Sequence, residues 1–108
     1  MKKAKDELTG LGRFSEPALF ILISLADSPK HGYAMTQDIE EVSGQKLGPG
    51  TLYGAIARLE ARKWIEPMPA EDRRRPYRLT GAGQKVLRAR LDSLKAVARI
   101  GHARLVEN

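Results

Sequence analysis

One segment of the chain is apolar on nearly every side of a helix, and it limits the possible folds more than any other feature. It reads PALFILISLAD over residues 17–27. Pro17 suits the first turn of a helix, and we expect Ser15 to act as the N-cap. The breakers Pro29 and Gly32 end the segment. A helix without a polar face must be buried on more than one side, so other elements must pack around it.

The next segment predicts a second helix, this time with one apolar face. It reads YAMTQDIEEVSG and places Met35, Ile39 and Val42 at helical spacing. Gly44 follows directly and is typical of the residue that ends a helix. We therefore expect this helix to pack on the first one through that face.

The third helical pattern, over residues 49–63, is unusual because its free face carries small residues. Its core face holds Leu52, Ile56 and Leu59, and its far side holds Gly54, Ala57 and Ala61. A glycine inside a helix costs about 1 kcal/mol relative to alanine, and a solvated face normally carries Lys and Glu. The pattern is compatible with an ordinary surface helix, but it favours a helix that approaches another surface closely. In a DNA-binding fold, that surface is the major groove.

A proline-rich segment follows and predicts a small β-hairpin. The sequence WIEPMPAEDRRRPYRLT contains two short strand candidates, WIEPM and YRL, on either side of a charged tip. Its three prolines restrict these strands to edge or end positions. We expect Trp64 to close the base of the hairpin against the third helix.

Two residues just before the second helix have structural interpretations. We expect Gly32 to be needed for a turn or for close packing, and His31 to be a surface or capping group.

The last segment, capped by Thr80, predicts a long helix with a dimerisation seam. Apolar and small residues alternate along it in steps of four and three, as in an a/d seam: Leu87, Leu91, Leu94, Ala98, Gly101 and Leu105. Left uncovered, a seam of this length would be a large apolar patch. We therefore expect a homodimer that forms through this helix.

The order of helix, helix, helix, strand, strand and helix predicts a winged helix-turn-helix with a C-terminal dimerisation helix. The fold class is therefore mainly α with a small β-hairpin. We expect residues 1–16 to form an N-terminal arm or short helix, residues 17–80 the winged helix-turn-helix DNA-binding domain, and residues 81–108 the dimerisation helix.

Composition narrows the classes of function. The 108 residues include no cysteine, which excludes disulfides and cysteine-ligated zinc. The net charge of +6 is concentrated after residue 57, where 13 basic residues face six acidic ones. That distribution fits a polyanionic partner as well as it fits simple solubility.

No pattern in the chain predicts catalysis, a metal site or a cofactor. His31 and His102 are far apart in sequence and lack a ligand cluster, and no glycine-rich phosphate loop lies between a strand and a helix. The apolar run Ala18–Ala26 is too short to span a bilayer, and no signal peptide is evident. We expect a cytoplasmic protein that is neither an enzyme nor membrane-bound.

Four short motifs, taken in order, resemble the PadR family of bacterial transcriptional regulators. They are His31-Gly32-Tyr33, Pro49 to Tyr53, Arg58 to Glu60, and Tyr77, Leu79, Thr80 and Gly83. The resemblance covers about residues 17–106. It implies a dimeric, cytoplasmic repressor that binds double-stranded operator DNA, and in many members a small-molecule inducer. This chain lacks the tryptophan that drug-binding members carry on the C-terminal helix.

The order of the predicted helices and strands, together with the resemblance to the PadR family, gives a set of candidate DNA contacts. For base edges in the major groove the candidates are Thr51, Tyr53 and Arg58. Gly50 and Gly54 would allow close approach of the helix. The tip residues Arg73, Arg74 and Arg75 would lie over the adjacent minor groove. Two further residues each have two interpretations that the sequence supports equally. Tyr33 is either a phosphate contact or a core ring, and Lys46 is either a phosphate contact or a solvated lysine.

Two other functions remain open from the sequence. The chain could be chiefly a sensor of an aromatic or phenolic compound, bound between subunits near Phe14, Phe20 and Leu94, with DNA release as the output. Alternatively, it could be a basic winged-helix module that binds protein or RNA. The arginine tip fits RNA less well, since double-stranded RNA is recognised mostly by shape across its minor groove.

Overall fold

The structure, a computed structural model, describes residues 7–107. Within them lie a 3₁₀ helix, four α-helices and two strands: the 3₁₀ helix Glu7–Phe14, α1 Ser15–Asp27, α2 Gly32–Ser43, α3 Pro49–Ala61, β1 Ile65–Pro67, β2 Tyr77–Leu79 and α4 Gly81–Glu107. This order confirms the fold class expected from the sequence. Residues 1–6 of the expected N-terminal arm lie outside the described residues.

The apolar helix α1 is the centre of the molecule. It packs against the 3₁₀ helix, α2, α3, α4 and β2, as its lack of a polar face predicts. The largest fully buried apolar side chains lie on α1 or on the elements around it: Leu8, Ile21, Leu22, Met35, Ile39, Leu59 and Ile65. The expected face of α2 is confirmed at Met35 and Ile39, but Val42 is exposed.

The N-terminal segment is a short helix that forms part of this core. Leu8, Leu11 and Phe14 are all buried, although Gly12 interrupts the helical backbone with a φ of 59°. The expectation that Ser15 caps α1 was wrong. Ser15 is already the first residue of α1, and its Oγ donates to the carbonyl of Leu8 at 2.8 Å, which ties the two helices together.

The segment Glu7–Asp27 has the length and composition of a helix that can cross a membrane, with a mean hydropathy of 1.3. Half of its apolar window is buried inside the domain. Core helices of water-soluble proteins give the same signal. Since the side chains that make the segment apolar are those packed against α2, α3 and α4, we assign it to the core.

Helix α3 ends two residues earlier than expected because Lys63 adopts a left-handed backbone, with a φ of 63°. The amide of Lys63 donates to the carbonyl of Glu60, and that of Trp64 donates to Leu59. These bonds form a Schellman motif, which more often uses glycine at the left-handed position. Trp64 is buried, as expected, at the base of the hairpin.

Strands β1 and β2 form an antiparallel pair that is extended by one residue of the α1–α2 loop. Glu66 lies opposite Arg78, and their side chains form an exposed ion pair. Lys30 adds a backbone bridge to the free side of Tyr77, with N–O distances of 3.1 and 2.9 Å. The hairpin is therefore fixed to the start of α2 as well as to α3.

Helix α4 begins at a cap that the sequence predicts correctly. Thr80 Oγ1 accepts from the amide of Gly83 at 3.0 Å and donates to the carbonyl of Lys63 at 2.7 Å. Gly83 is buried directly against the carbonyl of Trp64, which leaves no room for a side chain.

The seam expected on α4 is divided between two roles. Leu87 is buried in the core of its own protomer, so its assignment to the dimerisation seam was wrong. Beyond it, Leu91, Leu94, Ala98, Gly101 and Leu105 are all exposed. The first turns of α4 thus complete the winged-helix core, and the remaining turns present apolar side chains outward.

Candidate nucleic-acid interface

An open groove with a volume of about 310 Å³ joins the start of α2, helix α3 and the hairpin. It contains five of the residues that the sequence suggested for DNA contact, together with three that it did not. Its lining comprises His31, Gly32, Tyr33, Tyr53, Arg73, Arg74, Arg75 and Tyr77. A second open groove, of about 280 Å³, continues from Tyr33 and Tyr53 to Lys46.

Helix α3 exposes its first turn and a strip of small residues beside this groove. Gly50 and Thr51 are exposed, and a Cβ built on Gly50 meets nothing within 4 Å. Ala57 and Ala61 continue the exposed small face. The opposite face is buried through Leu52 and its helical neighbours. A helix end with this surface can approach a groove of DNA without a steric barrier.

Gly54 does not belong to that free face, which corrects its assignment as a close-approach residue. A Cβ on Gly54 would lie 2.8 Å from Cε1 of Phe14. The glycine is therefore required by a neighbour within the chain, because the aromatic ring of the 3₁₀ helix occupies the space beside it.

Arg58 is also held by this neighbour. Its guanidinium carbon lies 3.9 Å from the centroid of the Phe14 ring, and its Nη1 donates to the carbonyl of Gly54 at 3.0 Å. Both contacts position an exposed cation on the side of α3 that faces the 3₁₀ helix. Phe14 itself is buried beneath the guanidinium.

Tyr33 and Tyr53 stand side by side at the junction of α2 and α3. Tyr33 is 64% exposed, so its interpretation as a core ring was wrong, and its hydroxyl accepts from Gln37. Tyr53 is 54% exposed, and its hydroxyl reaches back over α2, where a Cβ on Gly32 would lie 2.5 Å from it. Gly32 thus permits close packing, as expected from the sequence.

The hairpin ends in a two-residue turn that holds an arginine in a left-handed conformation. Glu71 and Arg74 exchange both backbone hydrogen bonds at 2.7 Å. Between them, Asp72 and Arg73 have φ values of 46° and 67°. Positive φ at both central positions is the pattern of a type I′ turn, in which Asn-Gly and Asp-Gly are the preferred pairs. Arg73 therefore occupies a position where glycine is favoured.

The three arginines of the tip are not equivalent. Arg75 Nη1 donates to the carbonyl of Met68 at 3.0 Å, and Arg74 Nη1 lies 3.4 Å from Nε2 of His31. Within residues 7–107, the Arg73 guanidinium makes no hydrogen bond or ion pair.

Tyr77 forms the floor of the groove beneath the arginines. Burial raises the pKa of its hydroxyl above the usual 10.0, and the nearby Glu60 carboxylate raises it further. The phenol therefore keeps its proton at neutral pH and can donate a hydrogen bond into the groove.

Sequence reasoning missed three residues of this region. Phe14 sets the position of Arg58, Tyr77 forms the floor, and His31 contacts the hairpin as well as α2. His31 was expected as a surface or capping group, and its Nδ1 accepts from the amide of Ala34 at 3.4 Å. Its second contact joins residues 43 positions apart, for which the sequence carries no signal. Among the described residues, no group of three or more His, Asp or Glu side chains could hold a metal ion.

Comparisons with known proteins agree with this architecture. The model of the transcriptional regulator PadR-like family matches residues 21–89. The chain is 38% identical over 84 residues to transcriptional regulator Rv3488 of Mycobacterium tuberculosis, an alignment that covers 75% of this chain and 78% of that protein. It is 46% identical over 82 residues to an uncharacterized 37.1 kDa protein in transposon TN4556 of Streptomyces fradiae. That alignment covers 76% of this chain and only 24% of the transposon protein.

Among solved structures, a PadR family transcription regulator from hypervirulent Clostridium difficile R20291 has the same fold. The TM-score is 0.73 at 22% identity, with 82% of this chain and 96% of that one covered. Because the family model spans more than half of the sequence, the conclusion about family does not depend on the fold alone. The chain belongs to the PadR-like family of transcriptional regulators.

Proposed function

We propose that this chain is a cytoplasmic repressor that binds palindromic operator DNA as a homodimer. Helix α3 enters the major groove, and the hairpin reaches the adjacent minor groove. The main observation behind the proposal is the exposed first turn of α3, bare at Gly50, which lies beside a groove lined by three tyrosines and three arginines. Family membership supports the regulatory role.

The chemistry of the site divides the DNA contacts into two kinds. Thr51 and Tyr53 are the polar side chains closest to the bare turn of α3, so they would contact base edges. Tyr33 and Lys46 line a groove with Tyr53 and would contact phosphates, which fix position without carrying sequence information, while Arg58 would contact a base edge. Arg73 would enter the minor groove, where a narrow groove attracts arginine.

The exposed apolar side chains of α4 support dimerisation. Leu91 and Leu94 are 41% and 39% exposed, and Leu105 is 73% exposed. Buried against a second copy of α4, these side chains would leave solvent, and the two copies of α3 would be fixed at one separation. The spacing of the operator half-sites would follow from that separation, about one helical turn or a multiple of it.

A titration of this protein against the duplex upstream of its own gene tests the proposal. We expect that duplex to bind at least about 1,000-fold more tightly than a scrambled duplex of equal length. Binding should also weaken steeply with salt. Failure to bind either duplex, even at low salt, would contradict a DNA-binding role.

A further inference from the structure

The imidazole of His31 makes two contacts that one neutral ring cannot satisfy as hydrogen bonds together. Its Nδ1 lies 3.4 Å from the amide nitrogen of Ala34, and its Nε2 lies 3.4 Å from Nη1 of Arg74. Both neighbours are donors, since an amide and a guanidinium have only N–H groups to offer. A neutral imidazole has one accepting nitrogen, and the other carries a proton.

The helix N-terminus determines which nitrogen accepts. His31 is the N-cap residue of α2, with an extended backbone, and its Nδ1 satisfies one of the amides left unpaired in the first turn. This role requires the lone pair on Nδ1, so the proton must be on Nε2. A protonated ring would lose the cap and place a positive charge at the positive end of the helix dipole.

In this tautomer, Nε2–H and the Arg74 guanidinium are two donors 3.4 Å apart. Two acidic residues of the same turn, Glu71 and Asp72, border a pocket together with this pair. Glu71 and Asp72 are exposed, and neither forms an ion pair with Arg74 among the described residues. Two converging donors are best satisfied by one shared acceptor, and a negatively charged oxygen is the strongest available.

We propose that His31 and Arg74 together hold one phosphate of the DNA backbone, with His31 donating from Nε2 as a neutral imidazole. This inference rests on the proposed DNA-binding function and adds a residue to it. The setting supports a phosphate: the pair opens into the groove that also holds Tyr33, Arg73 and Arg75. The contact would fix the hairpin and the start of α2 on the same DNA strand.

Substitution of His31 can distinguish its proposed contact with phosphate from its role as the N-cap of α2. His31→Asn keeps a good N-cap, so we expect unchanged thermal stability, but its side chain is too short to reach the phosphate. With a mixed-sequence duplex of about 30 base pairs at low salt, affinity should fall about tenfold. The salt slope should stay unchanged, because no charge is lost. His102→Asn, on the exposed part of α4, is the matched control and should bind normally.

A double-mutant cycle tests whether the two side chains share one phosphate. Arg74→Gln should weaken binding and reduce the salt slope by about 0.9. Combined with His31→Asn, it should cost less than the product of the two separate losses, since both remove the same contact. If the two losses of affinity multiply, or if His31→Asn binds the duplex normally, His31 and Arg74 do not hold one phosphate together.

The tautomer of His31 is directly observable by NMR spectroscopy of the protein. A long-range ¹H–¹⁵N spectrum at about pH 8 should show His31 protonated on Nε2, with His102→Asn used for assignment. Protonation on Nδ1 would mean that Arg74 donates to His31, and that would overturn the proposal. If the unaltered protein binds no duplex at all, the DNA-binding function itself fails. If the unaltered protein binds and His31→Asn binds with the same affinity, only the shared phosphate contact is ruled out.

Discussion

The guanidinium of Arg58 lies over the ring of Phe14, with its carbon 3.9 Å from the centroid, and the same ring fills the space beside Gly54. This contact joins α3 to the N-terminal 3₁₀ helix. It also explains a glycine that sequence reasoning assigned to DNA approach. The glycine of α3 that remains open is Gly50, one turn earlier.

Replacement of Gly54 by alanine should be unfavourable only while the Phe14 ring is present. In a helix interior, alanine is more favourable than glycine by about 1 kcal/mol of folding free energy. Overpacking against the ring, however, costs about 1–3 kcal/mol. In a Phe14→Leu background the ring atoms are absent, so Gly54→Ala should stabilise the protein. Urea unfolding of the four variants measures this coupling. An equal effect of Gly54→Ala in both backgrounds would contradict the observed packing.

Gly83→Ala should severely destabilise the domain. Its Cβ would overlap the carbonyl oxygen of Trp64 and approach Cδ1 of Leu79 to 2.8 Å, so the backbone of β1 or α4 would have to move. We expect a loss of at least about 3 kcal/mol. Gly81→Ala is the matched control, because a Cβ there meets nothing within 4 Å. Thermal unfolding of both variants is the measurement, and equal stability would mean that α4 does not start against Trp64.

Arg73→Gly should make the protein more stable and a weaker DNA binder. Relief of the left-handed backbone should add about 1 kcal/mol of stability. Loss of the tip charge should reduce the slope of log affinity against log salt by about 0.9. Arg73→Lys keeps both the charge and the strain, so it should resemble the unaltered protein. An unchanged slope for Arg73→Gly would show that the tip remains in solvent when DNA is bound.

If the proposed homodimer forms through α4, Leu91→Glu should convert it to a monomer at micromolar concentration, because the substitution would bury an unpaired carboxylate in each copy of the seam. Ile100→Glu is a suitable control. Ile100 is similarly exposed but lies nine residues away, on the opposite side of α4. Analytical ultracentrifugation distinguishes the two variants. Dissociation by Ile100→Glu and not by Leu91→Glu would place the interface on the other face of the helix.

The features predicted correctly from the sequence are those set by local chemistry. The breaker at Gly44, the cap at Thr80 and the burial of α1 each follow from a residue and its neighbours in sequence. Leu87 illustrates the limit, since heptad spacing places it in the seam but cannot show that the core extends one turn into α4.

The missed relationships are tertiary. The space beside Gly54 is filled from a helix 40 residues earlier, and His31 meets Arg74 only because Lys30 pairs with Tyr77 and brings the hairpin to α2. Such contacts depend on how the elements pack, and a single sequence does not encode them in any short pattern.

The affinity of Gly50→Gln for the upstream duplex tests whether the bare turn of α3 enters a groove of DNA. The position is open, so the variant should fold with unchanged stability, while Gly50→Ala should still bind. The longer side chain should hold the helix away from the base edges and lower operator affinity at least about 100-fold, the cost of losing one or two base contacts. Unaltered affinity of Gly50→Gln for this duplex would mean that the first turn of α3 does not enter the groove.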